Sequence, residues 1–354
     1  MKIAIDCRMI GSGGIGSYIS ALLPFFVKNH ECLLIGNQKL LKKYDEIPDT
    51  KNTEIIDCEI KTFGLRELFF FPFSITKKIN SCDVYYTPYC NIPSGITIPV
   101  YTTIHDVVFM DVQGLTSRIG KFIRKQFYYY AVKKSKAIFT VSNFSKERIL
   151  HNLNCIKPVI CTYNAVPDWF FEDIDNNKTE KEDFFLFVGN IKKHKGLAVL
   201  IDAFIAAKNC GLSSKLKIVG NSENFRTRDK SIFEKINAAP SGSIEFTGKI
   251  TDLKLKELYK SAKCLIQPSF YEGFGMPPLE AMSLGTNVII SDIPVFKEIY
   301  KDFPVTYFKT GDVQDLKNKL ISISKDNNNI SQLPDIYSFE KTYNIINSTL
   351  EESK

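Results

Sequence analysis

Short β-branched and aromatic segments alternate with longer amphipathic segments along the whole chain. Alternation of this kind predicts parallel sheets that are covered by helices on both faces. The predicted strands of the first half are Lys2–Asp6, Leu33–Gly36, Thr53–Ile60, Asp83–Tyr86, Val100–His105, Ala137–Ser142 and Val159–Tyr163. Those of the second half are Phe184–Val188, Leu216–Gly220, Ile244–Thr247, Cys264–Gln267, Val288–Ser291 and Val305–Phe308. Helical patterns lie between most strands, for example at Gly16–Lys28 and Arg118–Lys136.

A polar and charged segment, residues 172–183, interrupts this alternation and indicates an exposed linker. At 354 residues the chain exceeds the usual size of one compact domain, so two α/β domains are expected. We assign residues 1–171 to one Rossmann-like domain and residues 184–335 to a second, with the linker between them. The final residues, 336–354, are predicted to form a helix that packs back toward the N-terminal domain. Ligands of such sheets bind beyond the carboxyl ends of the strands, so a site is expected in an interdomain cleft.

The composition excludes several classes of protein. Nine scattered cysteines without a C-x-x-C pair, together with four histidines, favour buried free thiols over a zinc or redox site. No apolar run is long enough to span a membrane, and Asp6 and Arg8 interrupt the apolar start before it could serve as a secretory signal. We therefore expect a cytoplasmic protein. The net charge of +7 suits an anionic partner: nucleic acid, a membrane surface or a phosphate-bearing substrate.

The segment Ser269–Gly285 carries the strongest chemical signal. It follows a predicted strand, contains a glycine-rich turn, and then has Pro277 and Pro278, which are tolerated at the first positions of a helix. A glycine turn that leads into a helix start is an anion site, because backbone N–H groups and the positive end of the helix dipole point at the ligand. Glu272 in the turn and Glu280 in the helix provide carboxylates that suit sugar and ribose hydroxyls.

Three other patterns are set aside. Asp173 and Asp175 have the D-x-D spacing of metal-dependent glycosyltransferases, but they lie in the charged linker rather than at the end of an apolar strand. The Gly273–Gly275 turn is too short for a P-loop. The loop Gly11–Gly16 follows the first strand, but no acidic residue ends the second strand, which makes a nicotinamide site the poorer interpretation.

The stretch YEGFGMPPLEAMSLGTNVI, with its E-x7-E pattern, resembles the retaining family 4 glycosyltransferases of the GT-B fold. The resemblance extends over nearly the full length of the chain. The other segments that carry it are GSGGIGSY, TIHDVVF, VSNFSKE, YNAVPD, FVGNIKKHKG, FTGKITD and YSFEKTYN. It implies an α/β fold in which two doubly wound Rossmann-like domains face an interdomain cleft, with residues 1–171 as the acceptor-binding domain and residues 184–335 as the nucleotide-sugar-binding domain.

The resemblance also implies roles for residues of the C-terminal half. Glu272 is expected to contact the transferred sugar near the reacting face, and Glu280 the ribose hydroxyls of the nucleotide. Phe274 and Gly275 are expected to offer backbone amides to the sugar or the diphosphate. Lys195 matches the phosphate-binding lysine of the family, which would stabilise the leaving diphosphate.

The turn that contains Lys195 differs from the family in one respect. The family often has an arginine at the position of Asn190 or of His194, and this chain has neither. Lys193 or Lys192 could supply the second cation, although such lysines also occur in ordinary solvated turns. Gly189, where the preceding strand ends, is assigned to donor binding together with Lys193.

Two features of the N-terminal half complete the predicted site. The resemblance places the glycine loop, including Gly14, against the donor phosphates and the acceptor. His105 ends a predicted buried strand, where a lone histidine is more often structural. The family has a histidine beside the sugar at this position, so we assign His105 to sugar contact and acceptor positioning.

The segment Arg118–Lys136 combines a cationic side with apolar residues, and the unusually aromatic segment Leu68–Phe73 precedes it in the chain. A basic amphipathic helix of this kind could rest on an anionic leaflet, which would suit a lipid-linked acceptor. A surface helix that packs its apolar stripe on the sheet is the alternative. No nucleic-acid-binding motif accompanies the charge, so no nucleic-acid partner is expected.

The sequence thus predicts a retaining hexosyltransferase that uses a nucleotide diphosphate-sugar, needs no metal or other cofactor, and acts in the synthesis of a surface polysaccharide such as O-antigen, capsule or lipopolysaccharide. Two alternatives stay open: a sugar-nucleotide epimerase or hydrolase on the same fold, and a non-catalytic module that binds saccharide or a partner. The donor base and sugar, the acceptor, the linkage, a general base and the oligomeric state are not determined by the sequence.

Overall fold

The computed structural model describes residues 1–43, 52–62, 64–172, 180–220, 234–237, 239–324 and 333–352. Asp173 and Asp175, the D-x-D pair that the sequence argument set aside, lie outside these residues. The chain divides into two compact units, one made of Met1–Pro167 and Tyr337–Lys354, the other of Asp168–Ile336.

The first unit contains a seven-stranded sheet in the order β3-β2-β1-β4-β5-β6-β7, with every neighbouring pair parallel. Its strands are β1 (Lys2–Asp6), β2 (Glu31–Gly36), β3 (Thr53–Asp57), β4 (Val84–Thr87), β5 (Val100–Thr103), β6 (Ser135–Thr140) and β7 (Val159–Cys161). Most of these strands are apolar on both faces, as burial under two layers of helices requires.

Helices connect the strands of the first unit. Their bounds are Gly13–Asn29, Gln38–Leu41, Leu65–Phe69, Phe73–Ile79, Val108–Asp111, Arg118–Lys134, Asn143–Leu153 and Phe339–Glu351. One core cluster contains Ile79, Ala131 and Ile149, which belong to three different helices, so these helices cover the same face of the sheet.

The last helix packs on the first helix of the same unit. Its buried residues recur at helical spacing, and the Ser338 side chain caps its start. The Tyr343 ring stacks on Phe25 at 5.5 Å between ring centroids, and Asn347 Oδ1 lies 2.7 Å from His30 Nε2. The C-terminal residues therefore complete the N-terminal unit.

The second unit contains a six-stranded parallel sheet in the order β10-β9-β8-β11-β12-β13. Its strands are β8 (Glu182–Val188), β9 (Lys215–Val219), β10 (Ile244–Gly248), β11 (Ala262–Gln267), β12 (Asn287–Ser291) and β13 (Thr306–Phe308). Its helices include Leu197–Lys208, Asp252–Ser261, Met276–Ser283, Pro294–Ile299 and Val313–Ser324. The structure confirms the expected pair of doubly wound parallel sheets.

Residues 168–171, which the sequence pattern assigned to the N-terminal domain, form a short 3-10 helix in the second unit. The ammonium of Lys256 explains this placement, since it donates to the carbonyls of Trp169 and Glu172 at 3.0 Å each. The Phe170 ring also packs against Tyr259 at 6.3 Å. Both contacts attach the segment to the helix Asp252–Ser261.

Candidate functional site

The sheet of the second unit reverses its strand order between β8 and β11. Successive strands from β8 run toward one edge of the sheet, and those from β11 run toward the other. Ligands of doubly wound sheets bind at the carboxyl ends of the two strands that flank such a switch point. Here those ends lead into residues 189–196 and 268–275, the two segments that the sequence singled out.

Gly196 allows these two segments to touch. Its φ is +69°, and a Cβ at this position would lie 1.9 Å from the carbonyl oxygen of Pro268. Only glycine fits such a close approach. The backbone N–H of Phe270 then donates to the carbonyl of His194 at 2.7 Å. The turn that carries Lys195 is thereby fixed against the loop that carries Glu272.

Lys195 and Glu272 form an ion pair. The ammonium lies 2.8 Å from Glu272 Oε1 and 2.7 Å from Oε2, and both side chains are mostly buried, with 18% and 9% exposed. Burial alone would raise the pKa of Glu272, but the Lys195 charge and the hydrogen bonds from Lys195 and Ser269 outweigh it and hold that pKa below its usual range. Glu272 is therefore an ionised acceptor at neutral pH.

The helix Met276–Ser283 begins directly after the glycine turn. Gly275 has a φ of +91°, and a Cβ here would lie 2.3 Å from the ring of Phe296, so the tight turn requires glycine. The Tyr300 hydroxyl donates to the carbonyl of Gly275. Because the Phe274 side chain is buried in the domain, this residue can reach a ligand only through its backbone.

Glu280 lies one turn inside the same helix and is partly exposed. Its Oε2 accepts a hydrogen bond of 2.7 Å from the hydroxyl of Tyr259, a fully buried residue of the neighbouring helix. Burial raises the pKa of Glu280. The helix thus presents a second carboxylate whose orientation is fixed by a tyrosine.

The cations of the Lys193–Lys195 turn differ in environment. Lys192 and Lys193 are exposed, whereas His194 is buried. Burial, reinforced by the charge of Lys195, lowers the pKa of His194 to about 4, so its ring is neutral at pH 7. His194 therefore cannot replace the arginine that the family often has here.

In the first unit, His105 lies just beyond the end of β5. Its Nε2 is 2.9 Å from the carbonyl oxygen of Pro88, and its ring meets Tyr18 edge-on at 4.8 Å. Burial lowers the pKa of His105 to about 4. Because a carbonyl only accepts, Nε2 carries the proton, and Nδ1 of the neutral ring is a hydrogen-bond acceptor. His105 can receive a hydrogen bond from a hydroxyl but cannot act as a cation.

The glycine loop leads into the helix Gly13–Asn29. Gly16 is required by packing, since a Cβ there would lie 2.7 Å from the carbonyl oxygen of Met9. Gly14 is exposed and has open space around it, so packing within the unit does not require a glycine at that position. An open backbone of this kind leaves room for a ligand to approach.

Just before this loop in the chain, Asp6 and Arg8 belong to a buried charge cluster that the sequence pattern did not predict. The Arg8 guanidinium lies 2.6 Å from Asp6 and 2.5 Å from Glu67. Tyr89 and Asn91 donate to these two carboxylates at 2.9 and 2.6 Å. The cluster therefore holds the segment that includes Pro88, the partner of His105. Two charged residues directly at the end of a buried strand, Asp6 and Arg8, were the available signal.

The structure thus brings Lys195 into contact with Glu272 and places Phe274, Gly275 and Glu280 in the turn and helix that follow Glu272. Gly189 and Lys193 lie in the segment that leads from β8 to Lys195. His105 and Gly14 belong to the first unit. Among the residues that the structure describes, no group of three or more His, Cys, Asp or Glu side chains could hold a metal ion.

Comparison with known proteins assigns the family. The sequence model described as "Glycosyl transferases group 1" matches residues 170–335. The O-antigen chain mannosyltransferase RfbU of Salmonella typhimurium (strain LT2) is 30% identical over 279 residues, which cover 72% of this chain and 74% of RfbU. The chain is a group 1 glycosyltransferase. The prediction of an enzyme that transfers hexosyl groups is thereby confirmed.

Other glycosyltransferases support the assignment and the fold. The O-antigen chain mannosyltransferase B of Escherichia coli is 23% identical over 230 residues, covering 62% of this chain and 59% of that protein. The crystal structure of Anabaena HepE with UDP and glucose matches this group 1 glycosyltransferase with a TM-score of 0.74 and 16% identity, over 99% of this chain and all of HepE. A glycosyltransferase from Rickettsia africae matches with a TM-score of 0.68 and 18% identity, over 99% and 98% of the two chains. These likenesses confirm the predicted GT-B fold.

Proposed function

We propose that this glycosyltransferase moves a mannose from a nucleotide diphosphate-sugar to a lipid-linked saccharide, with retention of the anomeric configuration, in the assembly of an O-antigen-type surface polysaccharide. The observation that carries the proposal is the Lys195–Glu272 ion pair at the switch point of the second unit, followed in the chain by a helix whose Glu280 is held by Tyr259. One cation and two carboxylates match a ligand that has a diphosphate between two sugars. The choice of mannose and of O-antigen follows the names of RfbU and mannosyltransferase B.

Each group then has a distinct task. Lys195 and the backbone amides of Phe274 and Gly275 stabilise the diphosphate as negative charge develops on it. Glu272 accepts hydrogen bonds from hydroxyls of the transferred sugar, and Glu280 from those of the ribose. His105 Nδ1 accepts from a hydroxyl of the sugar. Gly14 lines the donor, as the family resemblance implies. Gly189 and Lys193 contact it from the turn before Lys195, where Lys193 takes the place of the arginine that the family often has.

We also propose that transfer needs no metal, because the ammonium of Lys195 supplies the positive charge that a metal would otherwise bring to the diphosphate. Activity that is unchanged in excess chelator would support this. Activity that is lost in chelator and restored by Mg²⁺ or Mn²⁺ would contradict it.

Donor binding is the first test. A ligand that binds only the native state raises the melting temperature, so a panel of GDP-, UDP-, dTDP- and ADP-sugars should contain at least one stabilising donor. Glu280→Gln should weaken that stabilisation because a neutral amide is a poorer acceptor for ribose hydroxyls. Ser283→Ala is a matched control on the same helix, since its hydroxyl bonds only the Leu279 carbonyl.

Product analysis tests the reaction itself. An α-configured product from an α-configured donor, measured by NMR of the anomeric proton, supports retention, and a β-configured product contradicts it. Release of free sugar without an acceptor would indicate a hydrolase, and a changed sugar nucleotide an epimerase. Turnover by Lys195→Ala that equals the wild type would favour a non-catalytic binding module.

The helix Arg118–Lys134 supports the membrane part of the proposal. Its C-terminal half contributes Phe127, Ala131 and Val132 to the interior. Its N-terminal half leaves apolar side chains in solvent, with Ile119 74% and Phe122 64% exposed. The alternative in which the whole apolar stripe packs on the sheet therefore does not describe the first turns of the helix.

A second apolar group lies in the helical layer that covers the same face of the sheet. The side chains of Phe69, Phe70 and Phe73 are each at least two-thirds exposed, while Phe71 between them is buried in the core. Exposed aromatic residues and a cationic amphipathic helix are both typical of proteins that rest on an anionic leaflet. From these two features we propose peripheral contact with the inner face of the cell membrane. No helix in the described part of the chain combines the length and apolarity needed to cross a bilayer.

Sedimentation with vesicles tests this contact. Phe122→Ser should reduce binding to vesicles that contain phosphatidylglycerol, and binding should fall with rising salt. Ile156→Ser is the matched control, because Ile156 is 94% exposed but lies outside both apolar groups. Equal binding of wild type and Phe122→Ser would contradict the membrane proposal and leave the transfer reaction unaffected.

A further inference from the structure

The carboxylate of Glu272 receives hydrogen bonds from more than one donor. Oε1 accepts from Lys195 Nζ at 2.8 Å, from Ser269 Oγ at 2.7 Å and from Gln267 Nε2 at 3.2 Å. Oε2 accepts from Lys195 alone among the described contacts, at 2.7 Å. One oxygen is therefore held by neutral groups as well as by the lysine, and the other depends on the lysine.

Gln267 and Ser269 belong to the rigid part of the site. Gln267 is the last residue of β11, both side chains are fully buried, and the Ser269 carbonyl accepts a 2.5 Å hydrogen bond from Ser291 of β12. A carboxylate only accepts, so the amide NH₂ of Gln267 must face Glu272. The same NH₂ also lies 3.2 Å from Ser269 Oγ, which in turn donates to the carboxylate.

The orientation of the Gln267 amide is unfavourable for stability alone. Its carbonyl oxygen is buried and has no hydrogen-bond partner among the described residues. An unsatisfied buried acceptor destabilises the folded state, whereas an apolar residue of the same shape would avoid that penalty. The amide is therefore explained by what its NH₂ group does, and its NH₂ group contacts Ser269 and Glu272.

The ammonium of Lys195 has two competing anionic partners. In this structure it pairs with Glu272, and under the proposed function it binds the diphosphate of the donor. Among the described residues, Lys195 is the only cation in contact with the Glu272 carboxylate, so a lysine that turns to the diphosphate leaves this carboxylate without one. His194 also interacts electrostatically with Glu272, but its ring is neutral at pH 7.

We propose that Gln267 and Ser269 are positioning residues that keep Glu272 in place and ionised after Lys195 has left it for the donor diphosphate. This inference rests on the proposed function. Burial would otherwise favour the neutral acid, whose O–H would compete with the sugar hydroxyls for the same lone pairs. With two neutral donors on Oε1, Oε2 becomes free to accept from the sugar at the moment when the lysine leaves.

The protonation state of Glu272 can be measured directly. NMR of protein labelled at the side-chain carboxyl carbons of glutamate follows each titration, and Glu272→Gln identifies the signal. Inorganic pyrophosphate serves as the probe for the donor diphosphate. The informative variants are Ser269→Ala, Gln267→Met and their combination. Ser291→Ala is the matched control, since it removes a buried hydrogen bond to the same loop without touching the carboxylate.

In the wild type and in Ser291→Ala, Glu272 should stay ionised near pH 7 when pyrophosphate is bound. In the double variant with pyrophosphate, the pKa of Glu272 should rise by at least about one pH unit, because the hydrogen bonds from Gln267 and Ser269 no longer oppose the effect of burial. Gln267→Glu, which is nearly isosteric, should shift the titration further still, since two adjacent carboxylates resist double ionisation. Steady-state assays of the double variant at varied donor concentration should show kcat reduced by about tenfold or more, with the KM for the donor little changed.

A double variant that titrates like the wild type in the presence of pyrophosphate would overturn the inference. So would pyrophosphate binding that Lys195→Met leaves unchanged, because no charge would then be exchanged. The predicted titrations in a protein that transfers no sugar from any donor would instead refute the proposed function and leave the positioning role of the two residues intact.

Discussion

Replacing Lys195 by methionine removes the cation but keeps much of the side-chain shape, which isolates the electrostatic part of the Lys195–Glu272 pair. Glu272 then remains 9% exposed without a counter-ion. Breaking a buried pair by removing one partner costs roughly 3–5 kcal/mol. Because Ser269 and Gln267 still donate to the carboxylate, we expect the lower end of this range, about 3 kcal/mol at pH 7.5. For a unit of this size that corresponds to a fall in melting temperature of roughly 9 °C.

The loss should depend on pH in a defined direction. In the wild type the pKa of Glu272 lies below its ordinary value, so the pair contributes stability above about pH 4.3 that is lost as pH falls through the folded-state pKa. In the variant, burial raises the pKa of Glu272, so a buried carboxylate without a counter-ion destabilises the folded state at neutral pH. This destabilisation disappears as pH falls and the carboxyl becomes protonated. The difference in melting temperature between the two proteins should therefore be larger at pH 7.5 than near pH 4.5, where the penalty in the variant has mostly gone but the wild-type pair still contributes.

Calorimetry or circular dichroism at both pH values measures this difference. Lys193→Met is the control for stability, because Lys193 is exposed in the same turn. The double variant Lys195→Met/Glu272→Gln should recover part of the loss at pH 7.5, since no uncompensated charge remains. A loss for Lys195→Met that is the same at pH 4.5 and pH 7.5, or that the double variant does not reduce, would refute the reasoning.

Three further predictions concern other parts of the site. Tyr259→Phe removes the hydroxyl that donates to Glu280 and should raise the KM for the donor by about tenfold with little change in kcat; an unchanged KM would argue against the ribose role of Glu280. Gly196→Ala should lower the melting temperature much more than Gly211→Ala, since both glycines have positive φ but only Gly196 would bring a Cβ against backbone; equal losses would contradict the close approach. The pH profile of kcat/KM should lack an ionisation of His105 near its ordinary pKa of about 6.5, and the appearance of one that His105→Ala removes would contradict the neutral ring.

The sequence predicted the sheets well because their strands are apolar on both faces and stand out from the polar segments between them. Every predicted strand is present, and the bounds of β1 are as expected. The ends are less accurate where side-chain contacts decide them. For example, β6 begins at Ser135, before the predicted Ala137, because Ser135 already pairs with Val100 of β5, and its hydroxyl lies 2.7 Å from that of Thr102.

The individual residues of the candidate site could be predicted from the sequence, but the contacts between them could not. Motif resemblance identified Lys195 and Glu272 separately, yet their pairing depends on the strand order that places β8 beside β11. The contact of Gln267 with Glu272 could not be predicted, because the sequence does not show which way the side-chain amide of a glutamine at the end of an apolar strand points. The sequence could not show that apolar side chains in the first turns of the helix Arg118–Lys134 are exposed. Periodicity identifies an apolar helix face but does not show whether another element covers it.

We propose above all that the second unit binds a nucleotide diphosphate-sugar through Lys195, Glu272 and Glu280. A crystal structure with GDP-2-deoxy-2-fluoromannose, or with the donor that the binding panel selects, tests it most directly. We expect Lys195 Nζ to lie within hydrogen-bond distance of a diphosphate oxygen. Glu280 should contact the ribose, and Glu272 should contact the hexose. A donor bound elsewhere, or a bound donor beside a Lys195 that still pairs only with Glu272, would contradict it.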